Sequence, residues 1–206
     1  MPPPFSIAVQ MYQAKIKKAK EIIVDTTVQE KNITFPTDEK LYKKIIQTCD
    51  SLAQKASVKL RQSYRFVVKK LTYAKRYAAK AVQGQVSKRV VKKLHTIAGR
   101  KVRDLARKLA VKGQETLHNF SAQLAIMEKA LKQERKDKVY ALHALEVSCI
   151  AKGKSGKKYE FGSKVSVAVL PGSNVVVGIK SYGGNPHDSE TWYQGKSCLL
   201  NSPKNS

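Results

Sequence analysis

The 53 residues from Ser51 to Arg103 hold 16 lysines and arginines and no acidic side chain. That block constrains the fold, because no carboxylate inside it is available to pair its charges at i,i+4 along a helix. It repels itself as it stands and therefore reads as a polyanion-binding surface. Its apolar residues nevertheless recur at helical spacing. Val91, Leu94, Ala98, Val102, Leu105 and Leu109 form a stripe, and Arg89, Lys92, Lys93, Arg100, Arg103 and Arg107 lie mostly off it. A helix from Ser87 to Leu109 would run about 35 Å, close to one turn of duplex DNA at about 34 Å.

The same period extends toward the N-terminus. Leu41, Ile45, Cys49 and Leu52 recur at spacings of 4, 4 and 3, behind the cap signal Thr37-Asp38-Glu39, so a helix is expected over about 38–55. Between Leu60 and Val82, Arg61, Arg65 and Lys69 share one face, and Tyr73 and Tyr77 continue it. Aromatics among cations can stack on bases, but tyrosines at this spacing read first as half-buried packing residues. Gly84 is expected to break this helix from the next.

Composition agrees with a basic globular chain. Forty Lys and Arg against 15 Asp and Glu give a net charge of +25, and 42 % of the 206 residues are apolar. That is enough for a core, so wholesale disorder is not expected. Nucleic acid is the first partner to consider and an anionic membrane surface the second. The apolar run from Val165 to Ile179 is cut by Pro171-Gly172-Ser173-Asn174 and is too short to span a bilayer. The first residues, Met1-Pro2-Pro3-Pro4-Phe5, lack the pattern of a secretory signal. Cys49, Cys149 and Cys198 are far apart, which argues against a disulfide framework or a zinc site. A reducing cytoplasmic setting is expected.

The two ends read differently. Glu21 to Val28 looks like a buried strand, with a β-branched apolar run ending in Asp25. A carboxylate there caps the following turn or holds a metal on a rigid element, and spacing alone favours the cap. Far downstream, Tyr159 to Leu170 alternates with period two, Pro171 to Asn174 is turn chemistry, and Val175 to Lys180 is a second strand, giving a hairpin. Val147, Cys149 and Ala151 suggest a short extended piece. Lys152 to Lys158 reads as a flexible basic loop, and Asp188 as the N-cap of a helix. Glu146 and Glu160 read as surface or turn residues and His143 as a packing or hydrogen-bonding histidine. A lone first strand needs a partner, so it should pair with the hairpin. The helical block then becomes an insertion into a sheet domain.

Several segments together resemble bacterial insertion-sequence transposases of the DDE superfamily. They include Val24-Asp25-Thr26-Thr27-Val28-Gln29-Glu30-Lys31, Phe35-Pro36-Thr37-Asp38 and Leu60-Arg61-Gln62-Ser63-Tyr64-Arg65. Further ones are Lys138-Val139-Tyr140-Ala141-Leu142-His143, Tyr159-Glu160-Phe161-Gly162-Ser163-Lys164-Val165-Ser166 and Gly184-Asn185-Pro186-His187-Asp188. They keep one order from about residue 23 to 191.

The resemblance implies an α+β fold: a partial ribonuclease-H-like sheet, a strand and then a β-hairpin, interrupted by a large basic helical insertion. It implies metal-dependent DNA strand cleavage and transfer at transposon ends, with three carboxylates on two Mg²⁺ ions that clamp the attacking and leaving oxygens. Asp25 matches the first carboxylate, and so is the catalytic and metal-ligand candidate. The motifs that carry the second aspartate and the glutamate do not follow, and residues 1–20 and 192–206 have no family character. The expectation is a transposase truncated at both ends and inactive, cytoplasmic and nucleoid-associated. The alternative is a non-catalytic basic DNA-binding protein that competes with full-length transposase. Expected partners are double-stranded DNA and a full-length transposase or a second copy, with no membrane. The expected segments are 21–36 (first strand and loop), 37–137 (helical insertion) and 138–191 (hairpin part). The DNA-binding candidates are Arg61, Arg65, Lys69, Arg76, Arg89, Lys92, Lys93, Arg100, Arg103 and Arg107.

Overall fold

A computed structural model describes residues 21–134, 138–151, 156 and 158–191. Residues 1–20 and 192–206, and most of the basic loop after Ala151, lie outside them. The architecture is α+β, with several helices and a four-stranded antiparallel sheet. The chain divides into two units. One comprises residues 34–145, and the other the segments up to Ile33 and from Glu146 onward.

The unit from Thr34 to Leu145 is helical: α1 Asp38–Lys55, α2 Arg65–Arg76, α3 Gln83–Lys112 and α4 Gln114–Lys132. Helix α1 starts where the cap signal sits, with Thr37 Oγ1 accepting from the Lys40 amide at 3.3 Å. Asp38 and Glu39 lie in its first turn, next to the exposed amides of the helix start. The core is contributed by Leu41, Ile45, Cys49 and Leu52 of α1, Val90, Leu94, Ile97, Ala98, Val102, Leu105 and Leu109 of α3, and Leu124, Met127 and Ala130 of α4.

Three expectations shift in this unit. Val90 rather than Val91 joins the buried stripe, and Ile97 adds to it. Gly84 lies inside α3; the break from α2 falls earlier, where the Val82 amide bonds Ala79 and the Gln83 amide bonds Lys80. Residues 138–145 belong with the helices, not the hairpin. Val139 is buried in the helical core and its carbonyl accepts from Gln133 Nε2 at 3.2 Å.

The sheet unit consists of β1 Ile23–Glu30, β2 Ser148–Ala151, β3 Tyr159–Leu170 and β4 Val175–Tyr182. Strand β3 is central. Residues 162–169 pair antiparallel with β1, from Glu30 opposite Gly162 to Ile23 opposite Val169. On its other edge β2 pairs with Tyr159 to Gly162 and β4 with Lys164 to Leu170, end to end. The hairpin turn has Gly172 at φ +78° and Asn174 at φ +51°, and the Asn174 amide bonds Leu170 O at 3.1 Å. Glycine and asparagine tolerate this region best.

Burial in β3 alternates with period two, and the more polar register is the better-buried one. The better-buried register of β3 is Glu160, Gly162, Lys164, Ser166, Ala168 and Leu170; the valines at 165, 167 and 169 are half-buried. The segment after β4 explains this, because it covers the polar register. Lys164 Nζ donates to Pro186 O and to Asp188 Oδ1, both at 2.6 Å. Thr191 is fully buried, with Oγ1 at 3.2 Å from Thr26 Oγ1, and its carbonyl accepts from Tyr182 Oη at 2.8 Å. Asp188 is therefore an ion-pair partner, and His187 Nδ1 takes the cap role by accepting the Ser189 amide at 3.4 Å. Glu160 is buried on β3, whereas Glu146 is exposed and pairs with Lys31 at 3.2 Å.

Strand β1 is not buried either. Ile23, Asp25 and Thr27 are exposed, and Val24, Thr26 and Val28 are half-buried. It has one paired edge among the described residues, and its Asp25 register faces the same way as the half-buried valines.

Candidate nucleic-acid interface

The basic block runs through the end of α1, the loop after it, helix α2, the connection to α3 and most of α3, all in the helical unit. All ten candidate side chains are exposed: Arg61, Arg65, Lys69, Arg76, Arg89, Lys92, Lys93, Arg100, Arg103 and Arg107. Their exposure follows from the stripe. Once Leu94, Val102, Leu105 and Leu109 face inward, positions on the opposite side of α3 must face water. Arg89, Lys93, Arg100, Arg103 and Arg107 recur at steps of 4, 7, 3 and 4, which places them in one row. At a rise of 1.5 Å per residue, Arg89 and Arg107 stand about 27 Å apart along the axis.

The structure brings four of the ten together. Arg61, Arg100, Arg103 and Arg107, with Gln62 and Asp104, line an open cleft of about 440 Å³ between the α1–α2 loop and α3. Asp104 anchors the loop there. One of its oxygens accepts the Arg61 amide at 2.8 Å, and the other lies 3.7 Å from an Arg107 guanidinium nitrogen. Arg107 also donates through Nε to Arg103 O at 3.2 Å. Arg61 is thus a loop residue and does not share the α2 face with Arg65 and Lys69. The guanidinium of Arg103 lies over Gly99, where a Cβ would come within 3.2 Å of it.

The other candidates spread out. Arg65 lines a wider groove that includes Lys43, Asp50, Lys59 and Thr72. Lys92 lines a shallow one with Lys88, His95 and Lys132. His95 lies edge-on to Tyr42 at 5.1 Å with Nε2 3.1 Å from Leu131 O, and both it and His143 are exposed. Lys69 and Arg76 flank Tyr73 and Tyr77 at 5.9 and 6.0 Å.

Two members of the block are not surface charges. Lys101 is 2 % exposed; its ammonium bonds Asp50 Oδ1 and donates to Ser63 O at 3.1 Å. Lys75 bonds Glu39, which also holds Lys43. Burial on its own would raise the Glu39 pKa, but the hydrogen bonds and charges of Lys43 and Lys75 hold it below the usual 4.5. Asp50 is 51 residues from Lys101 and Glu39 is 36 from Lys75, so no local spacing rule could have found these two pairs.

Asp25 belongs to the sheet unit, on the exposed β1, and its Oδ1 accepts the adjacent Thr26 amide at 2.8 Å. Among the described residues no three His, Cys, Asp or Glu side chains form a group able to hold a metal ion. The described residues therefore offer no two-ion Mg²⁺ centre, which needs several anionic oxygens. Among the described residues no helix is long and apolar enough to cross a membrane.

Comparison with known proteins adds one relative. The chain is 42 % identical over 72 residues to the uncharacterized protein ORF8 in the nfe locus of Rhizobium meliloti, a stretch covering 34 % of this chain. The match spans about a third of that protein, 35 % of its length. No family model matches the chain. No solved structure matches it either.

Proposed function

We propose that this chain is a duplex-DNA-binding protein of the DDE transposase lineage, in which the helical insertion holds DNA. The observation that carries this is the exposed row Arg89, Lys93, Arg100, Arg103 and Arg107 on α3, joined by Arg61 at its C-terminal half. Guanidinium groups bind phosphates in a planar, bidentate way. A row about 27 Å long matches the spacing of phosphates along most of one duplex turn, about 34 Å. Such contacts position a protein on the backbone and carry no base sequence of their own.

The lineage part rests on the sheet as well as on the resembling segments. An antiparallel β1–β3–β4 arrangement with Asp25 on the open strand β1 suits a partial ribonuclease-H-like sheet, whose family form has five strands. Asp25 would be the first carboxylate of that site. One carboxylate cannot hold two ions, so this chain binds without cutting. The competitor reading draws on a different observation. The Asp25 face of the sheet, with Ile23, Val165, Val167 and Ile179, is an incompletely covered apolar surface. A full-length transposase or a second copy would bury it.

The deciding experiment is a salt titration of duplex binding. With about six phosphates contacted, log K falls against log[salt] with a slope of about −5. Replacing Arg100 and Arg103 by Ala flattens the slope by about two. Absence of measurable binding at low salt removes the proposal. Cleavage of transposon-end DNA with Mg²⁺ that Asp25→Ala abolishes would remove the claim of inactivity.

A further inference from the structure

Helix α2 contradicts the packing reading of its tyrosines. It docks through Val68 and Leu71, with Tyr64 at its start, and has no fully buried residue of its own. Tyr73 and Tyr77 point away from that contact, 47 % and 74 % exposed. Their rings lie near-parallel, 19° apart in plane with centroids 6.1 Å apart. Phe66, 83 % exposed, lies two turns before Tyr73 on the same helix.

Tyr73 and Tyr77 are neighbouring exposed rings, and grouped exposed apolar surface of this kind marks an interaction site where singly scattered rings do not. The cations around them point to its ligand. Lys69 Nζ sits 5.9 Å from the Tyr73 ring centre and the Arg76 guanidinium 6.0 Å from that of Tyr77. Those distances are at the outer limit of a cation–π contact, so each cation is loosely held and keeps donors for another ligand. No acidic residue occurs in α2, and Glu39 is engaged with Lys75 and Lys43. An apolar protein surface would leave these cations desolvated and unpaired. A polyanion that also carries flat rings satisfies both features at once.

We propose that Tyr73 and Tyr77 form a stacking platform for unpaired bases of single-stranded nucleic acid, with Lys69 and Arg76 on its phosphates. Duplex DNA does not fit, because its bases are already stacked on one another and offer no free π-face. The platform is therefore a second site, independent of the α3 row, and it stands whether or not that row binds duplex.

The test uses the full chain and labelled oligonucleotides of about 15 nucleotides: oligothymidylate, oligouridylate and a mixed-sequence duplex. Anisotropy at fixed low salt reads the affinities. Replacing both tyrosines by Ala weakens single-strand binding by about tenfold to a hundredfold and leaves duplex binding unchanged. Replacing both by Phe retains single-strand binding, since the ring is what stacks. Equal losses on the two single strands mean the platform ignores the sugar; a loss on one identifies its ligand as DNA or RNA. Unchanged single-strand affinity in the Ala variant overturns the proposal, as does an equal loss on duplex or a loss with Phe as large as with Ala. Both rings are outside the core, and an unchanged circular dichroism spectrum shows that the variants fold.

Discussion

Lys101 is a cation that does not belong to the cationic surface. It sits between Leu94 and Leu105 on the inward side of α3, where an unpaired ammonium would cost several kcal/mol. Asp50 and the Ser63 carbonyl remove that cost. The same pocket holds Cys49, whose thiol burial pushes up to about 12, with Lys101 opposing the shift and Asp50 adding to it. Lys101→Ala leaves a void and an unmatched Ser63 carbonyl and should lower stability by about 3 kcal/mol in urea unfolding. Lys101→Met keeps the volume and should lose less than half of that; equal losses would show that the charge pair, not the packing, matters. Glu39 works on the acid side. Its pKa is depressed in the folded protein, so its contribution is present above pH 4.5 and disappears as pH falls below that value. Glu39→Gln should cost about 1–2 kcal/mol at pH 7 and flatten the stability loss below pH 4.5. A parallel pair of stability–pH curves for the two proteins would contradict this.

At the scale of elements, α3 and β3 are the two organisers. Helix α3 separates an apolar stripe from a cationic row by period alone, and both are legible from Ser87 to Leu109 in the sequence. The pairing of β1 with β3 was likewise readable, because a short apolar strand cannot be stable alone. Which face of β3 would be buried was not. Alternation distinguishes two registers, but the covering segment selects the polar one through Lys164, Thr191 and Tyr182. One glycine matters to this pairing. A Cβ on Gly162 would come 2.1 Å from the Gln29 carbonyl oxygen, a backbone atom that cannot move aside. Gly162→Ala should therefore part the end of β1 from β3 and cost about 2–3 kcal/mol. Loss of protection at the amides that pair β1 with β3, read by hydrogen exchange, checks it; wild-type protection there would sink it.

For the whole molecule, the two units differ in how much they bury. The helical unit has a continuous core running from Leu41 to Val139. The sheet unit has a cluster of Ala168, Leu170 and Val177 with Val24 and Val175 packed on it. Opening free energy scales with such burial, so amides of α3 around Leu94 to Leu109 should exchange slowest and those of β1 much faster. Sheet amides as slow as those of α3 would reverse this ranking. The net charge of +25 belongs to the same scale, since it adds a long-range attraction for polyanions that no single arginine supplies. By itself the sequence determined the helix period, the hairpin turn, the insertion of helices between strands and the acid-free basic block. These depend on spacing and local conformational preference, which are written residue by residue. Only the tertiary structure decided which cations stay in water, that Arg61 joins Arg100 and Arg103, and that Tyr73 and Tyr77 face outward. Those outcomes depend on long-range partners such as Asp104, Asp50 and Glu39, whose approach is set by how the elements pack.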